Sequence, residues 1–175
     1  MTQSDLLTIL QHHYWANHRI LECATQVSVE QLMQAANFDH ESAFQTLRHM
    51  LDVEWSWRLM AQRVLATELL WNLEDLSDLE KLKAFWRLEQ ETMVAYVRSM
   101  DEATINSNVE FGTPQGRPPQ SAKLWQIVVH LAVHGTHHRS ELARYFTDCG
   151  HSPGDINFMD FLFEQRKVDV SILVT

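Results

Sequence analysis

The sequence predicts an all-α protein, a four-helix bundle with a short extra C-terminal helix, on three observations. Apolar residues recur at spacings of three and four, and glycine and proline are scarce before residue 112. A serine followed three residues later by Glu or Gln recurs where helices would begin. The 175 residues, 45% of them hydrophobic, suit a single domain over residues 1–175 with one core.

Four long and two short helices are predicted along the chain: residues 4–27, a short helix from residue 28, 42–64, 77–100, 121–148 and a short final helix at 157–166. Ser28, Ser42 and Ser77 supply the capping pattern at three of the starts. After the fourth long helix, Gly150 fits a left-handed cap and Pro153 prevents continuation.

The segment VEFGTPQGRPPQ, residues 109–120, contains three of the four prolines and two glycines. It predicts a loop or a small hairpin before the fourth long helix. The tail VDVSILVT, residues 168–175, is apolar and β-branched, so we expect it to pack on its own bundle or on a neighbour. Bundles of this size commonly bury a leftover apolar face in a two-fold dimer, which predicts a homodimer.

The charge balance narrows the partners. With 14 Lys+Arg against 23 Asp+Glu, the formal charge of -9 repels nucleic acid and anionic lipid. The first residues lack the pattern of a secretion signal, and no apolar run approaches the roughly 18 residues of a membrane helix. We therefore expect a cytoplasmic protein, without nucleic-acid or membrane partners, whose Cys23 and Cys149 are reduced.

The stretch HLAVHGTHHRSEL, residues 130–142, contains four of the ten histidines. On a helical wheel His138 falls within the buried stripe and His134 at its edge, whereas His130 and His137 lie toward solvent or a groove. Because residues four apart stand one above the other on a helix, His134 and His138 could share a divalent ion. The alternatives are rings that hydrogen-bond to neighbours, or a solvated pH-sensitive patch.

A third ligand is predicted in LRHMLDVEWSW, where His49 edges an apolar helix face with Met50, Val53 and Trp57. The remaining histidines are weaker candidates because they lie on the first helix or in connections: His12, His13, His18, His40 and His151.

Three stretches resemble the DinB/YfiT-like family of metal-binding four-helix bundles: YWANHRIL at 14–21, LRHMLDVEWSW at 47–57, and HLAVHGTHHRSEL with the preceding PQGRPPQSAKLWQIVVH. The resemblance implies the bundle fold and a homodimer. It also implies that His49, His134 and His138 are the metal ligands, the same residues that the helical wheel favours.

The sequence departs from the family pattern in the fourth helix. Val133 stands where the family often has Asn, and Ser140-Glu141 where it often has Gly-Gln. On the wheel Glu141 lies beside His134, so it either holds the N–H of a ligand ring or acts as a general base. Pairing with Arg139 or Arg144 at the surface is the other interpretation.

Glu54 is a second acidic residue of interest. It lies on a partly apolar face of the second long helix, where it either bonds to a neighbouring helix or reaches the site.

Three neutral histidines leave at least one position of an ion open, which is typical of catalytic sites. Such an ion lowers the pKa of water or of a thiol, and zinc and nickel both suit imidazole ligands. HLAVH lacks the glutamate of HExxH, so a zinc metalloprotease is not supported. A di-iron site is also not supported, because neither His134 nor His138 has Glu three residues before it.

Two classes of function remain. The first is a metal-dependent enzyme acting on a small-molecule substrate. By resemblance it is a thiol-dependent transferase that uses a low-molecular-weight thiol and a small electrophile, and a metal-dependent hydrolase is the other enzymatic reading. The alternative is a non-catalytic, metal-binding stress-response protein, damage-inducible by the family's association.

Overall fold

Helices make up most of the computed structural model, which describes the backbone of residues 1–111 and 120–172 and the side chains up to residue 166. The elements in chain order are α1 Gln3–Ala24, α2 Val29–Met33, α3 Ala43–Ala61, α4 Leu70–Leu73, α5 Leu79–Arg98, α6 Glu102–Ile105, β1 Asn108–Phe111, β2 Gln120–Lys123, α7 Leu124–Asp148 and α8 Phe158–Ile172. Among the described residues, no helix has the length and apolarity needed to cross a membrane.

The four long helices, α1, α3, α5 and α7, form the predicted bundle. Helix α7 packs against both α1 and α3, and α5 also packs against both. The order around the bundle is therefore α1, α7, α3, α5, with α1 diagonal to α3. Because α3 and α7 are neighbours, side chains on their facing sides meet.

Side-chain caps set most of the helix starts. Ser28 and Ser42 cap α2 and α3 as predicted, each hydroxyl accepting from the backbone N–H three residues later. For the third long helix the prediction is wrong by one residue, because Asp78 rather than Ser77 is the cap. The carboxylate of Asp78 accepts from the N–H of Lys81 at 2.9 Å, an arrangement that also suits the positive end of the helix dipole.

A small hairpin precedes α7, as one of the two predicted possibilities. Strand β1 pairs antiparallel with β2, with Asn108 opposite Lys123. Helix α7 therefore begins at Leu124 rather than Ser121, because residues 121–123 are paired in the hairpin. Residues 112–119, also within the predicted loop, lie outside the described residues. At its other end α7 stops at Asp148 as predicted, and Gly150 has a positive φ of 89°.

Helix α8 is longer than the predicted short helix, ending at Ile172 rather than near Arg166. It packs on α1, where Glu164 accepts from Arg19 at 2.5 Å and from the indole of Trp15 at 3.0 Å. Part of the apolar tail thus has helical backbone, while residues 173–175 lie outside the described residues. The packing of the tail and the homodimer stay predictions.

The core consists of two apolar clusters. One lies toward α2 and α4 and includes Ile20, Leu47, Leu51, Leu82, Trp86, Leu142 and Phe146. The other lies toward the hairpin and includes Leu6, Leu10, Tyr14, Ala61, Met93, Val97, Leu124 and Leu131. On each long helix, buried polar residues stand close to where one cluster gives way to the other. We call this set the polar layer: His13 and Asn17 on α1, Glu54 and Arg58 on α3, Glu89 on α5, and Arg139 on α7.

Glu54 joins three helices at the centre of the polar layer. Its Oε1 accepts from Asn17 Nδ2 at 2.8 Å and lies 2.8 Å from His13 Nε2, and its Oε2 accepts from Trp86 Nε1 at 2.9 Å. Arg139 Nη1 donates to Asn17 Oδ1 at 2.8 Å and to His13 Nδ1 at 3.0 Å. Because Arg139 can only donate, His13 Nε2 carries the proton that is donated to Glu54. Glu54 thus bonds to neighbouring helices, the first of its two predicted alternatives.

The second part of the layer is an ion pair between α3 and α5. Arg58 holds Glu89 through two hydrogen bonds, of 2.5 Å from Nε and 2.7 Å from Nη2. Burial raises the pKa of Glu89, and the Arg58 guanidinium opposes that rise. Burial also lowers the pKa of Arg139 to about 10, with the Glu54 carboxylate acting in the opposite direction.

Because residue 135 is a glycine, helices α1 and α7 can approach each other closely at the polar layer. A Cβ atom there would lie 2.5 Å from His13 Cε1 and 2.6 Å from Arg139 Nη1. We expect Gly135→Ala to destabilise the protein by roughly 1–3 kcal/mol, because both side chains are fixed by hydrogen bonds and cannot move aside freely. Urea unfolding of this variant beside Ser140→Ala, an exposed change on the same helix, measures the effect. A higher midpoint for Gly135→Ala, as helix propensity alone would give, contradicts the expectation.

Candidate metal centre

The three predicted ligands lie together between α3 and α7. The Nε2 atoms of His49 and His134 are 3.2 Å apart. The centroid of the His138 ring is 5.0 Å from that of His49 and 4.6 Å from that of His134. His138 is buried, and the other two are half-buried. The burial of His138 and the half-burial of His134 therefore match their expected positions within the apolar stripe and at its edge.

The donor set suits a divalent ion. Nitrogen ligands lie about 2.0–2.1 Å from zinc, so two of them on one tetrahedral ion are roughly 3.3 Å apart. The 3.2 Å between His49 Nε2 and His134 Nε2 agrees with this spacing. Two neutral imidazole nitrogens at that distance can instead share one hydrogen bond. The arrangement therefore fits a metal without requiring one.

Burial keeps the rings of His49 and His134 neutral. Burial, followed by the neighbouring His40 and His138, lowers the pKa of His49 to about 4. Burial, followed by His138 and His49, lowers the pKa of His134 to about 3. At neutral pH both rings therefore have a free lone pair, which is the form that binds a metal.

Glu141 orients one ring of the cluster. Its Oε2 lies 2.9 Å from His138 Nδ1, so this nitrogen donates to the carboxylate and Nε2 is left with the lone pair. Glu141 thus contacts a ring of the cluster, the first of its predicted alternatives, although the ring is that of His138 three residues earlier rather than that of His134. The surface pairing with arginine is not observed either: Arg139 belongs to the polar layer and Arg144 pairs with Asp148 at 2.8 Å.

The structure adds His40, which sequence reasoning set aside as part of a connection. Its ring stacks on that of His49, with 3.8 Å between centroids and 24° between planes, and lies 5.3 Å from the ring of His138. Ligand nitrogens of His40, His49 and His138 lie within 4.8 Å of one another, whereas the predicted ligand His134 is not part of this group and instead approaches His49. His137, His138 and Glu141 form a second such group, but His137 is exposed and lies 3.4 Å from Asp39.

Aromatic rings line one side of the cluster. The exposed His130 packs against Trp57 with 4.5 Å between ring centroids, and Phe111 from β1 lies 5.8 Å from Trp57. The ring of His130 is 6.0 Å from that of His134. An aromatic surface therefore runs from the hairpin to the edge of the histidine cluster.

The other histidines lie elsewhere. His13 belongs to the polar layer, His12 Nε2 is 3.1 Å from the Ile156 carbonyl, His18 is exposed beside Glu22, and His151 is 3.0 Å from Gln26. A cleft of about 610 Å³ along α1 and α5 is lined by Tyr14, Trp86 and charged residues, and by none of the clustered histidines. Cavity volume thus does not identify the site here, whereas the donor chemistry does.

A comparison with protein families gives a match to the DinB family over residues 1–168 of the 175. The chain belongs to the DinB family. A comparison with curated proteins gives no match. Family membership and the cluster of imidazoles together fit a metal-binding DinB protein.

Proposed function

We propose that this DinB protein is a metal-dependent enzyme that transfers a low-molecular-weight thiol to a small electrophile. His49, His134 and His138 hold one divalent ion, zinc or nickel. The observation that carries the proposal is the convergence of these rings from two neighbouring helices, with His49 Nε2 and His134 Nε2 3.2 Å apart. Three ligands from the chain leave a position for substrate.

The residues around the cluster support a small molecule as the substrate. Glu141 fixes the ring of His138 through the 2.9 Å contact with Nδ1, so the lone pair on Nε2 keeps its direction. The surface made by Trp57, His130 and Phe111 offers an apolar contact for the substrate beside His134. The homodimer and the cytoplasmic location belong to the same proposal.

The contact of Glu141 with His138 favours a transferase over a hydrolase. Glu141 is engaged with His138, and Asp39 lies against His137 at 3.4 Å. Because Glu141 orients His138, it is not free to act as a general base toward water. When bound, a divalent ion favours a thiolate over the thiol, and so provides a nucleophile without help from a base.

One observation favours the alternative, a non-catalytic metal-binding protein of the stress response. His40 lies against His49 and could complete a set of four protein ligands. Four protein ligands are typical of structural rather than catalytic metal sites. The two functions therefore differ in whether an added ligand can reach the ion.

The test uses protein loaded with cobalt, because a sulfur ligand gives cobalt a charge-transfer band that water does not. We expect small thiols to produce this band in the wild type and in His18→Ala, an exposed histidine on α1, but not in His138→Ala. Thiols combined with electrophilic acceptors should then give metal-dependent turnover. If no thiol produces the band in metal-loaded wild type, the transferase is wrong and the non-catalytic function is favoured.

A further inference from the structure

His40 differs from the other clustered histidines in what holds it. Its ring stacks on His49 at 3.8 Å and faces His138 at 5.3 Å. Within the part of the chain that the structure describes, its ring nitrogens have no hydrogen-bond partner. The ring is half-buried, so its lone pair is available to water or to another group such as an ion.

The segment that carries His40 is a connection between helices rather than part of one. Residues 34–42 connect α2 to α3, and the loop closes on itself where the Ala36 N–H donates to the Glu41 carbonyl at 2.8 Å. Glu41 has a φ of 63°, in the left-handed region that is unfavourable for most residues. His49, His134 and His138 are instead fixed on packed helices, so His40 can move without moving them.

Three side-chain contacts place this loop against α7, all of them from residues that precede His40, and one is the 2.7 Å hydrogen bond from Gln34 Nε2 to the Tyr145 hydroxyl. Phe38 packs edge-on against Tyr145 with 5.1 Å between centroids, and Asp39 lies 3.4 Å from His137. Both Asp39 and His137 are largely exposed, so their contact is weak. The firmer contacts of the loop are therefore at Gln34 and Phe38, and the contact next to His40 is the weak one.

We propose that His40 is a displaceable fourth ligand, which fills the position left open by His49, His134 and His138 and yields it to an incoming thiol. This inference rests on the proposed metal binding. It explains how a site with four neighbouring imidazoles could still be catalytic. A site that is closed at rest would open only for a ligand that binds the ion better than imidazole does. In the exchange one neutral imidazole leaves, one thiolate binds, and the proton of the thiol passes to solvent.

The observed geometry places His40 next to the ligand position. Its ligand nitrogen is within 4.8 Å of those of His49 and His138, whereas nitrogens on one tetrahedral ion are roughly 3.3 Å apart. A change in the side-chain rotamer or a small shift of residues 34–42 would close this gap. The movement needs no rearrangement of α3 or α7.

The experiment compares wild type, His40→Ala and the control His18→Ala, each loaded with cobalt or zinc. X-ray absorption should count four imidazoles on zinc in wild type and in the control, and three in His40→Ala. Azide, used as the probe, should bind cobalt at least roughly tenfold more tightly in His40→Ala, because the closed fraction no longer competes. His40→Gln should behave like His40→Ala, and circular dichroism checks that each variant is folded.

Three results would overturn the inference. Equal imidazole counts and equal azide affinities in wild type and His40→Ala would leave the proposed function standing while removing His40 from the ion. Complete loss of metal from His40→Ala would make His40 a permanent ligand. A wild type that binds no metal, measured in the same samples, would refute the proposed function itself.

Discussion

Glu54→Ala is expected to lower the free energy of unfolding by roughly 3–5 kcal/mol, because it removes one side of a buried charged network. The change leaves Asn17 Nδ2, His13 Nε2 and Trp86 Nε1 without their acceptor at the centre of the bundle. It also leaves the buried guanidinium of Arg139 without the nearby carboxylate. Urea unfolding followed by circular dichroism gives the difference.

Glu91→Ala is the matched control, since Glu91 is exposed on α5. Its effect should stay within roughly 0.5 kcal/mol of wild type. Glu54→Gln, which keeps the shape and one acceptor, should fall between the two. A loss of less than roughly 1 kcal/mol in Glu54→Ala would mean that the polar layer contributes little to stability.

Replacing any one of His49, His134 or His138 with alanine is expected to weaken metal binding by more than roughly 100-fold, because each supplies a ligand rather than support for one. Glu141→Ala should weaken it by roughly 10–100-fold, since that carboxylate only orients His138. Elemental analysis after dialysis gives the stoichiometry, and competition with a chelator gives the affinity.

His130→Ala and His137→Ala are the informative comparisons, because both residues are exposed members of the same histidine-rich stretch. Both variants should keep one ion per chain. Loss of metal from either of them, together with retention in His138→Ala, contradicts the ligand set.

Helical periodicity was sufficient to predict that three histidines lie close together. A period of 3.6 residues fixes the angle between His134 and His138 on one helix, and the apolar neighbours of His49 indicate which way that residue faces. Two adjacent helices then suffice to make the cluster. The same reasoning identified the bundle, since four strongly periodic segments have few other ways to bury their apolar faces.

Periodicity does not describe loops, and His40 was missed for that reason. Its position depends on the path of residues 34–42 and on the positive φ of Glu41, neither of which leaves an apolar repeat. The hairpin was only half foreseen in the same way, because residues 121–123 can extend a helix or pair with β1, and pairing is a long-range choice.

Contacts between residues on different helices could not be predicted from periodicity either. Arg139 is only 2% exposed, although an arginine on a helix next to polar residues suggests a surface position. Its burial depends on His13, Asn17 and Glu54 being brought opposite it by two other helices. Glu141 likewise contacts His138 rather than His134 because of the direction of its side chain, which a helical wheel does not represent.

The polar layer also fixes the axial alignment of the helices. Sliding α7 by one turn, about 5.4 Å, would carry Arg139 away from Asn17 and His13 and leave charges unpaired in the core. Apolar clusters alone would resist such a slip far less. His49 and His134 are thus held opposite each other before any ion arrives, a preorganised site rather than one assembled by its metal. This chain should therefore remain folded after exhaustive chelation, unlike a zinc finger, whose fold is lost with its ion.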